Sequence, residues 1–176
     1  MMKQFIYYSF IGLLSVTMML QSCKKDDDSG TPKNEFTLNG ESFELGKGFL
    51  AEYGENGNGS YDFDVTLTSS SITYNEISQE FNGQGDVIYL DLNTSSESGL
   101  VDGTYNFSSD REAFTMVYGE IGVDVDAMTG AGDVYEVIGG TVTIEVDGNE
   151  TLVEFDLTLS DNTKVTGRFK GVLRPA

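Results

Sequence analysis

From residue 34 onward, apolar and polar positions alternate with a period of two, the signature of strands that bury one face. In SYDFDVTLTS, Tyr61, Phe63, Val65 and Leu67 alternate with Asp62, Asp64, Thr66 and Thr68. The same rhythm runs through TVTIEV (Val142, Ile144, Val146), LVEFDLTL (Phe155, Leu157, Leu159) and KVTGRFKG (Val165, Gly167, Phe169, Gly171). No segment of helical length carries a 3.6-residue stripe. The pattern predicts an all-β domain of roughly nine or ten strands.

The punctuation between strands agrees. Asn39-Gly40 and Asp147-Gly148 suit tight hairpin turns, because Asn and Gly tolerate positive φ. GENGNGS, NGQGD and SDNT mark further reversals. Both prolines, Pro32 and Pro175, lie outside the alternating segments, so no central ladder loses a donor. Short turns between strands favour consecutive antiparallel pairing, and Gly139 to Leu173 is predicted to be a three-stranded meander. An antiparallel β-sandwich is the expected architecture, with a flattened up-and-down, lipocalin-like barrel as the alternative. Gly167 and Gly171, on the inward face of the last long strand, permit either strong curvature or close approach of a neighbour.

The first 22 residues follow a different rule. Lys3 is their only charge, and Phe5 to Leu20 is an apolar run interrupted by hydroxyl groups and tyrosines. That run is short for a span, which needs about 20 predominantly apolar residues, and it suits a cleaved secretory signal. The tetrad Leu20-Gln21-Ser22-Cys23 resembles the lipobox of bacterial lipoproteins. The resemblance implies recognition by a signal peptidase through Leu20 and Ser22, and a diacylglycerol on the Cys23 sulfur; Gln21 is bulkier than the usual occupant. Cys23 is the only cysteine, and an exported chain with one unpaired thiol risks stray disulfides. Lys24, Lys25, Asp26, Asp27 and Asp28 follow at once and resemble the export signal of Bacteroidetes surface lipoproteins. That likeness implies an outer-membrane location facing the cell exterior, with the periplasmic face as the alternative. The expected organisation is residues 1–22 signal peptide, 23–34 lipidated cysteine and flexible acidic tether, and 35–176 a single all-β domain.

Composition narrows the chemistry. Ten basic and 29 acidic residues give a formal charge of −19, one unit more negative once Lys3 leaves. Such a chain repels nucleic-acid phosphates, whose recognition depends on Lys and Arg. Histidine is absent, which removes Ser-His-Asp triads and His-based zinc sites. A diacylglycerol anchor apart, no cofactor is expected.

One acidic loop, VDVDAMTGAGDVYE, offers Asp124, Asp126, Asp133 and Glu136 as oxygen ligands of the kind Ca²⁺ takes. Their spacing departs from the EF-hand pattern, and alternating acids at a strand end are more often a solvated face. Carboxylate-based glycoside hydrolysis needs two acids facing across a cleft, and the chain has too many acids to single out a pair. Tyr53, Tyr61, Tyr89 and Tyr118 have the rings to stack on a sugar, but period-two positions assign most of them to the core. The expected function is therefore a non-catalytic, membrane-tethered binding or accessory module for glycan, peptide or another envelope protein. A structural or adhesive envelope subunit is the alternative.

Overall fold

The computed structural model describes residues 32–176, and Pro32–Ala176 form one compact unit. The lipobox residues Leu20, Ser22 and Cys23 and the charged run Lys24 to Asp28 lie outside the described residues. Among the described residues there is no helix, and thirteen strands account for the regular structure. They are β1 (Glu35–Leu38), β2 (Glu41–Glu44), β3 (Lys47–Glu55), β4 (Tyr61–Thr68), β5 (Thr73–Asn75), β6 (Glu80–Asn82), β7 (Gln84–Thr94), β8 (Gly103–Phe107), β9 (Thr115–Asp126), β10 (Asp133–Asp147), β11 (Glu150–Leu159), β12 (Lys164–Gly171) and β13 (Leu173–Pro175). The fold is all-β, as the alternation predicts. The extra strands beyond the expected number are short ones, three residues each in β5, β6 and β13.

Eleven strands form one mixed sheet in the order β13-β3-β4-β7-β9-β8-β10-β11-β12-β1-β2. The meander β10-β11-β12 is antiparallel throughout, with Val153 facing Ile144 on one side and Phe169 on the other. Two pairings are parallel, β8 with β9 and β13 with β3. The second one matters most. β12 pairs with β11 and β1, and after the single residue Val172 the same chain runs on as β13 along β3, at the other end of the strand order. This stitch curls the sheet back on itself. One continuous curled sheet thus supplies the two facing layers that a sandwich or a flattened barrel would have.

Glycine makes the stitch and the curl sterically possible. A Cβ on Gly48 would stand 2.5 Å from Leu173 Cδ2 and 2.8 Å from Phe169 Cε1, so only glycine lets β13 and β12 close on β3. Gly167 lies between the side chains of its cross-strand partners, where a Cβ would meet Phe155 Cζ at 2.5 Å and Phe36 Cβ at 2.6 Å. Of the two roles that sequence leaves open for Gly167, close approach is the one seen. The two-residue turn at Asn39-Gly40 has positive φ at both positions, 53° and 83°. At the β10–β11 hairpin the turn residues are Gly148-Asn149, one position later than the Asp-Gly pair suggests, with φ +61° at Gly148.

Inside the curl lies one apolar core. Phe36, Val65, Leu67, Ile88, Leu90, Leu92, Met116, Ile121, Val142, Ile144, Val153, Leu157 and Val165 are fully enclosed. Each such side chain contributes about 1.5 to 3 kcal/mol relative to exposure. Tyr105 is the one tyrosine in this set, and its hydroxyl donates to the Val101 carbonyl at 2.9 Å. The folded unit begins slightly before residue 35: Asn34 donates through Nδ2 to the Lys170 carbonyl and accepts from the Lys170 amide, at 3.0 and 2.8 Å.

Candidate functional site: an acidic, tyrosine-lined groove

Because β4, β7 and β9 bury Val65, Leu67, Ile88, Leu90 and Ile121, period two forces the intervening residues outward. The register then fixes who meets whom. Asp64 stands opposite Ala51 on β3 and Asp91 on β7, and Asp91 stands opposite Tyr118 on β9. One step along the strands, Thr66 faces Phe49 and Tyr89, and Tyr89 faces Glu120. This outward face therefore carries carboxylates and tyrosines in adjacent rows.

The hairpin β5–β6 roofs it. Tyr74 and Phe81 pack on each other with ring centres 4.9 Å apart, and both pack on Phe49, at 5.6 and 5.1 Å. Lys47 ties down the base of this flap by donating to the carbonyls of Ser70 and Ile72, at 2.7 and 2.5 Å. Between flap and sheet runs a groove of about 650 Å³, lined by Tyr53, Asp64, Tyr74, Phe81, Tyr89 and Glu120 among others. A smaller, mainly apolar hollow of about 210 Å³ adjoins it, with Ile72, Val87 and Val125 in its wall; Thr66, Phe81, Val87, Tyr89 and Glu120 border both.

Tyrosine hydroxyls hold the groove carboxylates. Tyr89 donates to Asp64 Oδ2 at 2.5 Å, and Tyr118 donates to Glu120. Burial pushes the Asp64 carboxyl above its ordinary range, against the pull of the Tyr89 hydrogen bond. Burial and the Asp64 bond together raise the Tyr89 phenol far above its usual value, and the Asp64 charge raises Tyr53. The bond to Glu120 pushes Tyr118 up to about 12. Tyr89 and Tyr118 are thus held as hydrogen-bond donors to the groove carboxylates.

Beside the groove, Asp62, Asp64 and Asp91 bring carboxylate oxygens within 4.8 Å of one another. Three like charges on neighbouring strands repel unless a cation intervenes. Arg111, on the loop between β8 and β9, supplies it: Nη1 and Nη2 grip Asp91 at 3.1 and 2.8 Å, and Nη1 also donates to Asp62 Oδ2 at 2.7 Å. The fork geometry of guanidinium suits this two-carboxylate grip. The loop is pinned in turn, since Asn58 Nδ2 donates to the Arg111 carbonyl at 2.7 Å. Phe114 adopts φ +66°, a sparsely populated conformation for a bulky residue, and its N–H donates a hydrogen bond to the Asn93 carbonyl at 2.7 Å.

The clamp is incomplete. Asp62 Oδ1 is enclosed and has no partner. Burial first, then the Asp91 charge, lifts the Asp62 carboxyl from 3.8 to about 6, with Arg111 pulling the other way.

Comparison with known proteins gives no match. Neither a family model, nor a curated protein, nor a solved structure resembles the chain closely enough to count.

The acids of the loop picked out by sequence have other positions. Asp126 Oδ1 accepts from the amides of Met128 and Thr129 at 3.0 and 2.9 Å, capping the β9–β10 turn, and those bonds lower its pKa. Asp124 has φ +53° and its amide donates to Asp86 Oδ1. Asp133 faces Val123, and Glu136 faces Glu120. Among the described residues, Asp62, Asp64 and Asp91 are the only metal-sized group, so Asp124, Asp126, Asp133 and Glu136 are not gathered into one. The tyrosines also differ from expectation. Tyr53 and Tyr118 are exposed and Tyr89 is half-buried on the outward face, outside the core. Asp62, Asp64 and Asp91 were hidden in plain alternation; the available signal was that both YDFDV and YLDLN place acids on the polar phase of a strand.

Proposed function

We propose that the chain is a non-catalytic binding module of the bacterial cell envelope, held at the outer membrane by lipid on Cys23, and that its ligand seat is the groove under the β5–β6 flap. The observation that carries this is the groove itself: a roofed, concave surface with aromatic walls and a few fixed polar groups, which is the usual construction of small-ligand sites. The polar groups are preset. Asp64 and Glu120 are already oriented by tyrosine hydroxyls, so a ligand meets few side chains that must first be ordered. Arg111 engages Asp62 and Asp91, which makes that pair a support for the groove wall and not a free acid-base couple.

Anchoring rests on the sequence around Cys23. One acyl chain binds membranes marginally and two or more hold firmly, which matches a lipidated cysteine carrying a diacylglycerol. The acidic run Asp26 to Asp28 supports display at the cell surface.

Two experiments test the two halves. Tyrosine emission is an unobstructed reporter, because the chain has no tryptophan. Titration of the full-length protein with panels of oligosaccharides, peptides and organic cations should yield a ligand that alters this emission. Tyr53→Ala should weaken that ligand and Asp156→Asn, on β11, should leave it unchanged; equal weakening by both would refute the groove as the seat. For the anchor, Cys23→Ala should abolish lipid mass and membrane partitioning, and retention of both would refute it.

A further inference from the structure

We infer that the group recognised in the groove is an organic cation, an alkylammonium whose head lies among Tyr53, Asp64 and Glu120 and whose chain enters the adjoining apolar hollow. This rests on the groove being the binding seat. Three observations point to it independently of the overall acidity.

The first is charge without internal compensation. Asp64, Glu120 and Glu52 line the groove, and no lysine or arginine does. Arg111 is committed to Asp62 and Asp91 and Lys47 to the flap carbonyls, and Arg174, opposite Phe49 on β3, is not among the lining residues. A cationic ligand would complete the electrostatics that the chain leaves open on this side.

The second is the nature of the walls. Tyrosine rings present negative π faces, on which an ammonium is attracted, more so when water is partly excluded. Tyr53 is 67% exposed at the mouth, and Tyr89 stands between groove and hollow. The Tyr89 hydroxyl is a donor directed at the Asp64 carboxylate, so it reinforces negative charge where it stands instead of competing for an anion. An anionic ligand would meet acids on every side, and a neutral sugar would leave that field unanswered.

The third is the hollow. Ile72, Val87, Gly122, Val125 and Val134 border it, and it meets the groove at Tyr89 and Glu120. Its volume of about 210 Å³ suits a short alkyl chain. Charge and apolar surface are therefore arranged end to end, as in an alkylammonium.

The test uses the full-length protein with hexylammonium as probe, hexan-1-ol as its uncharged counterpart, ethylammonium as the short-chain control and maltohexaose as a neutral sugar, read by tyrosine emission and melting temperature. Hexylammonium should saturate, with hexan-1-ol weaker by about tenfold or more and ethylammonium weaker than hexylammonium. Glu120→Gln and Tyr53→Ala should each weaken hexylammonium several-fold, while Glu154→Gln on β11 leaves it unchanged; all three side chains are at least partly exposed, so folding is not at stake. Equal binding of hexylammonium and hexan-1-ol, or no binding of either, overturns the cation. Equal loss in Glu154→Gln overturns it too, because diffuse surface charge would then explain the binding. If maltohexaose saturates in a Tyr53-dependent way while hexylammonium does not, the cation falls and the groove stands; Tyr53-independent binding of every ligand removes both.

Discussion

Strands β4 and β11 are written almost alike, as YDFDVTLT and ETLVEFDLTL, yet their outward faces do opposite things. On β11, Glu154 and Asp156 are met by basic residues of the meander: Arg168 lies 3.4 Å from Glu154, Lys164 3.8 Å from Asp156, and Lys170 3.9 Å from Glu150. These pairs are mostly solvent-exposed, and such pairs contribute about 0 to 1 kcal/mol each. They keep the surface soluble. On β4, the equivalent acids Asp62 and Asp64 face Asn93 and Asp91, with Asp64 lining the groove under the aromatic flap and one arginine reaching in from a distant loop. The difference lies entirely in the neighbouring strand and in what covers it. Alternation assigns a side chain to a face; it is tertiary cover that turns a face into a site.

The largest expected effect breaks the clamp. Arg111→Ala leaves the buried Asp91 and the half-buried Asp62 unpaired, and should cost about 2 kcal/mol of unfolding free energy, below the loss for a fully buried pair because the guanidinium is partly exposed. On the meander, Lys164→Ala should cost no more than about 0.5 kcal/mol. Denaturant midpoints of the two variants measure the contrast directly, and equal losses would mean that the two faces do not differ. Next in size, Tyr89→Phe removes the hydroxyl from Asp64 Oδ2 and should cost about 1 kcal/mol, seen as a lower melting temperature.

A subtler effect is a slope. Asp62 is lifted from 3.8 to about 6 in the folded protein, so between those pH values the native state holds more protons than the unfolded chain. Its contribution to stability is fully present below the lower value and is lost as pH rises through about 6. Stability of the wild-type protein relative to Asp62→Asn should therefore fall between roughly pH 4 and pH 7 and level off above. Parallel curves would show that Asp62 titrates normally, and a rise over that window would show that its folded-state pKa is lowered instead of raised. The smallest effect is on the meander, where Asp156→Asn should leave both the pH profile and the melting temperature within error of the parent.

How much of this was legible in the sequence follows from the range of the interactions. Strand existence, the β10-β11-β12 meander and the Asn39-Gly40 turn depend on neighbours a few residues apart, and the text carries them. The stitch of β13 onto β3 does not. It is a three-residue strand containing Pro175, paired across more than a hundred residues, and its only local trace is the small size of Gly48. The flap strands β5 and β6 are three residues each, too short for an alternation to register. The acids of the candidate site could be placed on a polar phase, but Arg111 lies 49 residues from Asp62 and 20 from Asp91. Loop acids Asp124 and Asp126 stood out because they were dense in sequence, and the turn they build explains that density without a ligand. Period-two positions point most of the tyrosines toward the core, yet Tyr89 alternates with the buried Ile88 and Leu90, and the hydroxyls of Tyr89 and Tyr118 have carboxylates to serve outside.

The most direct measurement is a map of backbone amide shifts in the full-length protein during titration with hexylammonium. The account predicts perturbations concentrated on Tyr53, Asp64, Tyr89, Glu120 and the β5–β6 flap, with Glu150, Glu154 and Asp156 unmoved. Perturbations spread evenly over both acidic faces, or confined to the meander, would contradict it.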